Sequence, residues 1–301
     1  MVTIGNFDGV HPGHQQLIRR TQERARELGV RSVVLTFEPH PLSVLRPDLK
    51  LRRLFDSADR QEQMEKLGID VLVIEPFSRN FSQLSPEQFL GDMILRPFQP
   101  LALVVGYDFS FGANRTGSIE FLKAQSELLG FEFEVVRPVS VQLGSETTVI
   151  SSTRIRQALE QGDAVSAAVL LGRPYELRGI VKKGAGRGRS IGVPTANLDT
   201  TIEPAIRPGV YAAWARVRNR RYQAMVNVGR NPTFVDSDIL HVEAHLPEFV
   251  GGEKEGDLYG EMVALEFVDR LRDERKFASV AELVAQIRQD ILNGQQRLLG
   301  S

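Results

Sequence analysis

Gly5-Asn6-Phe7-Asp8-Gly9-Val10-His11-Pro12-Gly13-His14 lies between a short apolar run and a long amphipathic segment. That order reads as a strand, a tight loop and a helix start. The glycines let the backbone approach a ligand closely, and Pro12 suits the first helical position. His11 and His14 stand three apart across the helix start, where unpaired amides and the positive end of the helix dipole would face an anion. The stretch predicts a phosphate site. The competing reading, a zinc pair, lacks support, because the chain has no cysteine and no third ligand lies nearby.

Working outward, Leu17, Ile18, Thr21, Ala25 and Leu28 fall at helical spacing on one face, and Gly29 follows as a terminator. Val33-Val34-Leu35-Thr36-Phe37 reads as a buried strand ending in Glu38-Pro39-His40-Pro41, a loop placed where open α/β sheets bind ligands. Ser57 is placed as the cap of a helix running to Leu67, and Val71 to Ile74 reads as the next strand. Ser85-Pro86-Glu87-Gln88 has capping-box spacing and opens a helix to Leu95, with a strand following at Leu101 to Val105. Alternating strands and helices predict an α/β, Rossmann-like domain with a parallel sheet and covering helices.

From Gly106 to Gly117 the chain carries three glycines, three aromatics, Asp108 and Arg115. A flat aromatic ligand could stack there with polar contacts from Asp108 and Arg115; a turn with partly buried phenylalanines is the alternative. Phe77, Arg79, Asn80 and Phe81 form a second candidate wall. Phe131 to Val139 alternates like an exposed strand. In Ser151-Ser152-Thr153-Arg154-Ile155-Arg156, Ser152 can cap a helix, Thr153 offers a hydroxyl, and Arg156 can reach a phosphate at the helix start; a solvated arginine is the alternative.

A short alanine-rich helix from Asp163 to Leu171 is broken by Gly172-Arg173-Pro174, which divides the chain into domains 1–172 and 173–301. Short strands follow at Leu177 to Lys182, Gly209 to Val217, Tyr222 to Val228, Leu240 to Leu246 and Met262 to Val268. Their spacing predicts a small closed or nearly closed antiparallel β-barrel. Ser279 and Glu282 open a terminal helix that Asn293-Gly294 is expected to end. Between the first strands, Gly184, Gly186, Arg187 and Gly188 belong to a basic glycine-rich stretch that is neither a Walker loop nor a dinucleotide fingerprint. Its amides could wrap phosphates, or it could be a plain basic hairpin.

Thr195 and Asn197, two apart on an extended segment, place a hydroxyl and an amide oxygen on one side. Hard Mg²⁺ accepts such ligands alongside ATP phosphates. Glu243 shares a strand face with His241 and His245. A two-histidine, one-carboxylate iron site is conceivable there, but three ligands along one straight strand span too far to grip one ion. Arg270, Arg272 and Arg275 line either a mobile loop near the ligands or a solvated basic stretch.

At 301 residues, 42% hydrophobic and 25% charged, the chain has room for two full cores, which argues against disorder and membrane insertion. A net charge of -1 gives no global field for a nucleic acid. Without cysteine there is no disulfide or thiol chemistry, which fits a cytoplasmic protein. No run reaches membrane-spanning length.

The His-x-Gly-His loop resembles the nucleotidyltransferase superfamily. Taken with Thr36-Phe37-Glu38-Pro39-His40-Pro41, the Gly106 to Gly117 loop, Ile150-Ser151-Ser152-Thr153, Pro194-Thr195-Ala196-Asn197, Pro208-Gly209-Val210-Tyr211, Asn227-Val228-Gly229, Val242-Glu243 and Leu258-Tyr259-Gly260, nearly the whole chain resembles the bifunctional bacterial riboflavin kinase and FAD synthetase family. The resemblance implies transfer of AMP from ATP to FMN in the first half and phosphorylation of riboflavin in the second. It implies triphosphate contacts for His11, His14, Ser152, Thr153 and Arg156, with Gly5, Phe7, Asp8 and Gly13 lining that loop, and a flavin pocket near Phe77 and Asp108. In the barrel it assigns nucleotide contacts to Gly184, Gly186, Arg187, Gly188 and Pro194, Mg²⁺ and nucleotide to Thr195 and Asn197, and the catalytic base to Glu243. The implied partners are ATP, riboflavin and FMN, with the chain a monomer or weak homo-oligomer. Position 193 is valine where the family usually has phenylalanine, a change of packing more than chemistry. The chain also begins almost at its first strand, so either the true start lies upstream or this edge is trimmed. The rival reading keeps adenylyl transfer but directs it to another phosphorylated small molecule, with the barrel a non-catalytic flavin sensor.

Overall fold

The computed structural model describes residues 1–184, 188, 191–230, 240–249 and 257–299. Gly186 and Arg187 therefore lie outside the described residues. The chain forms two compact units, residues 1–51 with 55–151, and residues 52–54 with 152–301.

The first unit is a parallel sheet of five strands, β1 Val2–Ile4, β2 Val33–Glu38, β3 Val71–Pro76, β4 Ala102–Gly106 and β5 Glu132–Val136, in the order β3-β2-β1-β4-β5. β1 is central, and the chain runs from it to β2 on one side and meets β4 on the other. The loop leaving β1 thus opens at the point where strand order reverses, the place such sheets hold ligands. Both faces are covered, which is why the strands read as continuous apolar runs. Val34 and Val104 pack with Leu17, Ile18 and Ala25 of helix α1, Pro12–Glu27, whereas Leu35, Leu103 and Val105 pack with Phe89, Ile94 and Leu122 on the opposite face.

Several local expectations are corrected. Leu28 is 39% exposed at the end of α1, because the helix terminates before its side chain can join the core stripe. After the short helix α2, Pro41–Leu45, helix α3 spans Ser57–Lys66, and its cap is Asp56, whose carboxylate accepts the Asp59 amide at 2.7 Å; Ser57 is already helical. The Ser85 capping box forms, but the helix does not stop at Leu95: α4 Pro86–Gln88 runs through a π-helical stretch, Phe89–Leu95, into α5 Arg96–Phe98. The Arg96 amide reaches back to the Gly91 carbonyl, and Pro97, which has no amide hydrogen, follows within the same run. α6, Ile119–Leu129, leads to β5, which ends at Val136, two residues before the ladder-breaking Pro138. A hairpin of β6 Ser140–Leu143 and β7 Glu146–Val149 then follows.

The second unit opens with α7 Ser152–Gln161 and α8 Ala164–Leu171, the latter capped by Asp163 and closed by Gly172 in the left-handed conformation. A closed antiparallel barrel follows in the order β10-β11-β12-β9-β8-β13, from β8 Tyr175–Lys182, β9 Ala196–Thr200, β10 Gly209–Val217, β11 Arg220–Arg230, β12 Leu240–His245 and β13 Met262–Arg272. Tyr175, Tyr211 and Phe267 are fully buried, and both tyrosine rings contact that of Phe267, filling the barrel as side chains do in small barrels.

The terminal helix α9, Val280–Leu298, is capped by Ser279 and passes straight through Asn293-Gly294. Gly294 is buried against Met225, where any side chain would collide with the thioether sulfur, so this glycine permits close packing of helix on barrel. Arg270 and Arg272 are not loop residues either. Both close β13, and the Arg272 guanidinium makes a two-pronged pair with the buried Asp290 of α9 at 2.7 and 3.0 Å.

Candidate functional sites

The loop leaving β1 is tightly wound. Phe7, Gly9 and Val10 have φ of 48°, 85° and 39°, and Phe7 and Val10 are fully buried. A left-handed conformation costs bulky and β-branched residues of order 1–3 kcal/mol each, so the surroundings must impose it. They do so by hydrogen bonds: the Gly5 amide donates to the Leu35 carbonyl at 3.1 Å, Thr36 Oγ1 to the Asn6 carbonyl at 3.2 Å, and Gln15 Nε2 to the Val10 carbonyl at 3.0 Å. Asp8 is buried, and its carboxylate accepts the Phe55 amide at 3.3 Å.

The chain then enters α1 with His11 as cap and Pro12 first in the helix. His11 is buried, and its Nδ1 accepts the His14 amide at 3.3 Å. The two imidazoles stack with centroids 3.6 Å apart and planes 16° from parallel, and Phe7 meets His14 edge-on at 5.2 Å. Gly13 fits beneath this stack, because a Cβ there would press the His11 ring at 3.2 Å. His14 Nδ1 is buried with no hydrogen-bond partner among the described residues. Burial, and then the neighbouring His11, push the His14 pKa well below the ordinary histidine value, so its ring is neutral at pH 7. A phosphate beside it would relieve both the unsatisfied nitrogen and the cost of protonation.

On the opposite sheet face, Phe77 is half-buried and touches Phe37 at 5.8 Å and Phe81 at 5.4 Å. Phe109 stacks on Phe111 at 5.3 Å, and Phe111 meets Phe89 at 5.2 Å. The two predicted walls thus meet through Phe89, which touches Phe81 at 6.0 Å. Asp108 is exposed at the end of β4, whereas Arg115 is turned onto the Ser110 hydroxyl at 2.7 Å. Ser152, Thr153 and Arg156 belong to the second unit. Ser152 is the first helical residue of α7, leaving Ser151 at the flanking position; Thr153 is exposed, and Arg156 Nε donates to the Arg52 carbonyl at 3.0 Å.

In the barrel, strand register builds the second site. Asn227 on β11 is paired with Glu243 on β12, Glu243 with Asn197 on β9, and Asn197 with Lys182 on β8. Directly paired residues point to the same side of a sheet, so an amide, a carboxylate and a second amide form one row. Val242 and Ala244 are buried while Glu243 is half-buried, placing the row on the barrel's outer face. Gly184 lies against this row, where a side chain would strike the Asn197 amide, and a side chain on Gly188 would strike the Val193 carbonyl. The Val193 amide donates to the Gly188 carbonyl at 2.8 Å, and Pro194 and Thr195 are exposed just before β9. His245 approaches the Pro194 carbonyl with its Nδ1 at 2.8 Å. His241, Glu243 and His245 do not converge on an ion: among the described residues no three His, Cys, Asp or Glu side chains form a metal-holding group.

Arg60, buried beneath the β1 loop, carried no sequence signal and is visible only once distant segments meet. Asn227 was named only within a family motif; its place beside Glu243, with its Nδ2 donating to Glu274 at 3.4 Å, comes from the strand register.

A parallel sheet with a phosphate-suited loop at its switch point, followed by a barrel with a carboxylate between two amides, defines a two-domain nucleotide-dependent transferase. Residues 1–154 match the FAD synthetase family and residues 171–298 the riboflavin kinase family. The chain is 36% identical over 292 residues to the bifunctional riboflavin kinase/FMN adenylyltransferase of Listeria monocytogenes, covering 96% of this chain and 90% of that one. It is 34% identical to the Escherichia coli protein of the same description, over 98% and 92% of the two chains. A solved structure described as a macrolide-efflux protein from Streptococcus pneumoniae superposes with a TM-score of 0.84 at 34% identity, over 98% and 93% of the two chains. The chain belongs to the bifunctional riboflavin kinase/FMN adenylyltransferase family.

Proposed function

We propose that the chain makes FAD from riboflavin in two ATP-dependent steps, phosphorylating riboflavin in residues 173–301 and adenylylating the resulting FMN in residues 1–172. The observation that carries the first assignment is the row Asn227, Glu243 and Asn197, with Gly184 packed against Asn197. Glu243 accepts the proton of the ribityl hydroxyl as its oxygen attacks the γ-phosphorus of ATP, and ADP leaves. Gly184, Gly188 and Pro194, with Gly186 and Arg187, hold the nucleotide. The Thr195 hydroxyl and the Asn197 amide oxygen are neutral hard donors that suit Mg²⁺. When bound, Mg²⁺ neutralises phosphate charge.

In the N-terminal half the FMN phosphate is already an anionic nucleophile, so that site must align it with the α-phosphorus of ATP and offset charge on the departing pyrophosphate. His11 and His14 at the start of α1 do this, while Gly5, Phe7, Asp8 and Gly13 shape the loop; for Ser152, Thr153 and Arg156 the family resemblance is the ground for proposing triphosphate contacts. Phe77 and Asp108 receive the flavin. The aromatic row from Phe77 to Phe111 supports that placement.

The sites require only small molecules and no nucleic acid or membrane. Among the described residues no helix is long and apolar enough to cross a membrane. We assign the chain to the cytoplasm, as a monomer or weak homo-oligomer. Chromatography of flavins after mixing the protein with riboflavin and MgATP tests the proposal: FMN should form first and FAD second, with ADP and pyrophosphate released. Riboflavin recovered unchanged would mark the barrel as a sensor and refute the kinase assignment.

A further inference from the structure

Beneath the β1 loop lies a charged pair with no part in the chemistry above. Arg60, in the second turn of α3, is 2% exposed. Its Nη2 donates to Glu38 Oε2 at 2.7 Å, while its Nη1 donates to the Phe37 carbonyl at 3.1 Å and the Asn6 carbonyl at 3.3 Å. Asn6 begins the wound loop after β1, and Phe37 and Glu38 end β2. One planar fork therefore ties together the ends of two adjacent parallel strands, a geometry that a lysine, with a single point charge, cannot reproduce.

The placement matters because the loop between Asn6 and His11 contains the left-handed Phe7 and Val10, which hold their conformation only if anchored. The Asn6 carbonyl is one anchor, and the Asp8 carboxylate is another, through the Phe55 amide that precedes α3. Both anchors lead to the same helix start. A buried arginine whose carboxylate partner sits at the β2 end, and whose Nη1 meets two backbone carbonyls, is more than a surface ion pair.

We infer that Arg60 is a positioning residue for adenylyl transfer: its guanidinium, held by Glu38, fixes the Asn6 to Val10 loop and thereby the stacked His11 and His14. The inference rests on these histidines being the triphosphate ligands. Loss of the fork should leave the substrates able to bind but let the imidazoles drift, and a misplacement of about 1 Å can cost about 10²-fold in rate.

The test uses the full chain, whose riboflavin kinase rate serves as an internal control. Arg60→Met should lower kcat for FMN adenylylation about 10²-fold, with KM for FMN changed less than about threefold, because the interaction acts on alignment and not on ground-state binding. The kinase rate should be unchanged. Since Arg60→Met leaves Glu38 without this partner and could simply unfold, Glu38→Gln/Arg60→Met removes both charges and should show the same kcat loss. Arg60→Lys should recover part of it, about tenfold, by restoring the contact with Glu38 alone. Binding of a non-hydrolysable ATP analogue should stay at wild-type stoichiometry in all three. Adenylylation within about twofold of wild type in the double variant, or a rate loss matched by an equal loss of binding stoichiometry, overturns the proposal. His14→Asn is run alongside: if it keeps wild-type adenylylation, the histidine assignment fails by itself, whereas an inactive His14→Asn beside an active double variant sinks only the role of Arg60.

Discussion

The two sites are built by opposite means. In the first unit the proposed phosphate ligands sit at the end of an irregular loop whose backbone is held left-handed at Phe7, Gly9 and Val10 by hydrogen bonds from other segments. In the barrel, Asn227, Glu243 and Asn197 lie on regular strands and are aligned by the ladder itself. A loop site depends on its anchors, so distant residues can disable it. A register site depends on its own side chains, and its neighbours matter mainly for stability.

That contrast can be broken at several points. The largest effect should come from Glu243→Gln, which keeps the shape of the row but cannot accept the proton; riboflavin phosphorylation should fall by about 10²–10⁴, as measured by ADP release, with FMN adenylylation unchanged. Removing the Arg272 partner of the buried Asp290 should cost the barrel about 3–5 kcal/mol without touching either chemical step, so Arg272→Met should lower the unfolding midpoint in urea while the folded protein keeps its kinase kcat. His14→Asn should reduce adenylylation by about 10²–10³ and cause FMN to accumulate from riboflavin, read by flavin chromatography.

The smallest effect concerns pH. His14 is neutral in the fold because its pKa is depressed, while in the unfolded chain it returns to about 6.5. The unfolded state therefore binds the extra proton below pH 6.5, and the stability that the neutral ring contributes is present above that pH and lost as pH falls toward the folded value. Urea midpoints between pH 6.5 and 5 should decline less steeply in His14→Asn, by at most about 1.4 kcal/mol per pH unit. An identical slope would mean that His14 is not desolvated.

The two architectures also explain what could be read from the residues alone. Strand and helix order, the barrel, and the capping at Ser85 and Ser279 are local patterns, and they were legible. So was the His11 and His14 pair, because a spacing of three at a helix start fixes two side chains on one side. Glu243 was legible as a carboxylate on a strand, but its pairing with Asn227 and Asn197 depends on register between segments far apart in sequence. Arg60 looked like any helical arginine until β1, β2 and α3 came together. Gly294 carried the signal of a helix stop, and only the Met225 contact shows why the helix continues. Ser57 beside Asp56, and Leu28 at the closing position of α1, are errors of one position at a helix end.

The central claim is that one chain carries two separable ATP-dependent active sites acting on successive flavins. Glu243→Gln and His14→Asn proteins, each given riboflavin or FMN with MgATP, test it most directly by the FAD and FMN they return. The account predicts that Glu243→Gln converts FMN to FAD at the wild-type rate but leaves riboflavin untouched, and that His14→Asn turns riboflavin into FMN and stops there. Loss of both conversions in either folded protein would contradict it.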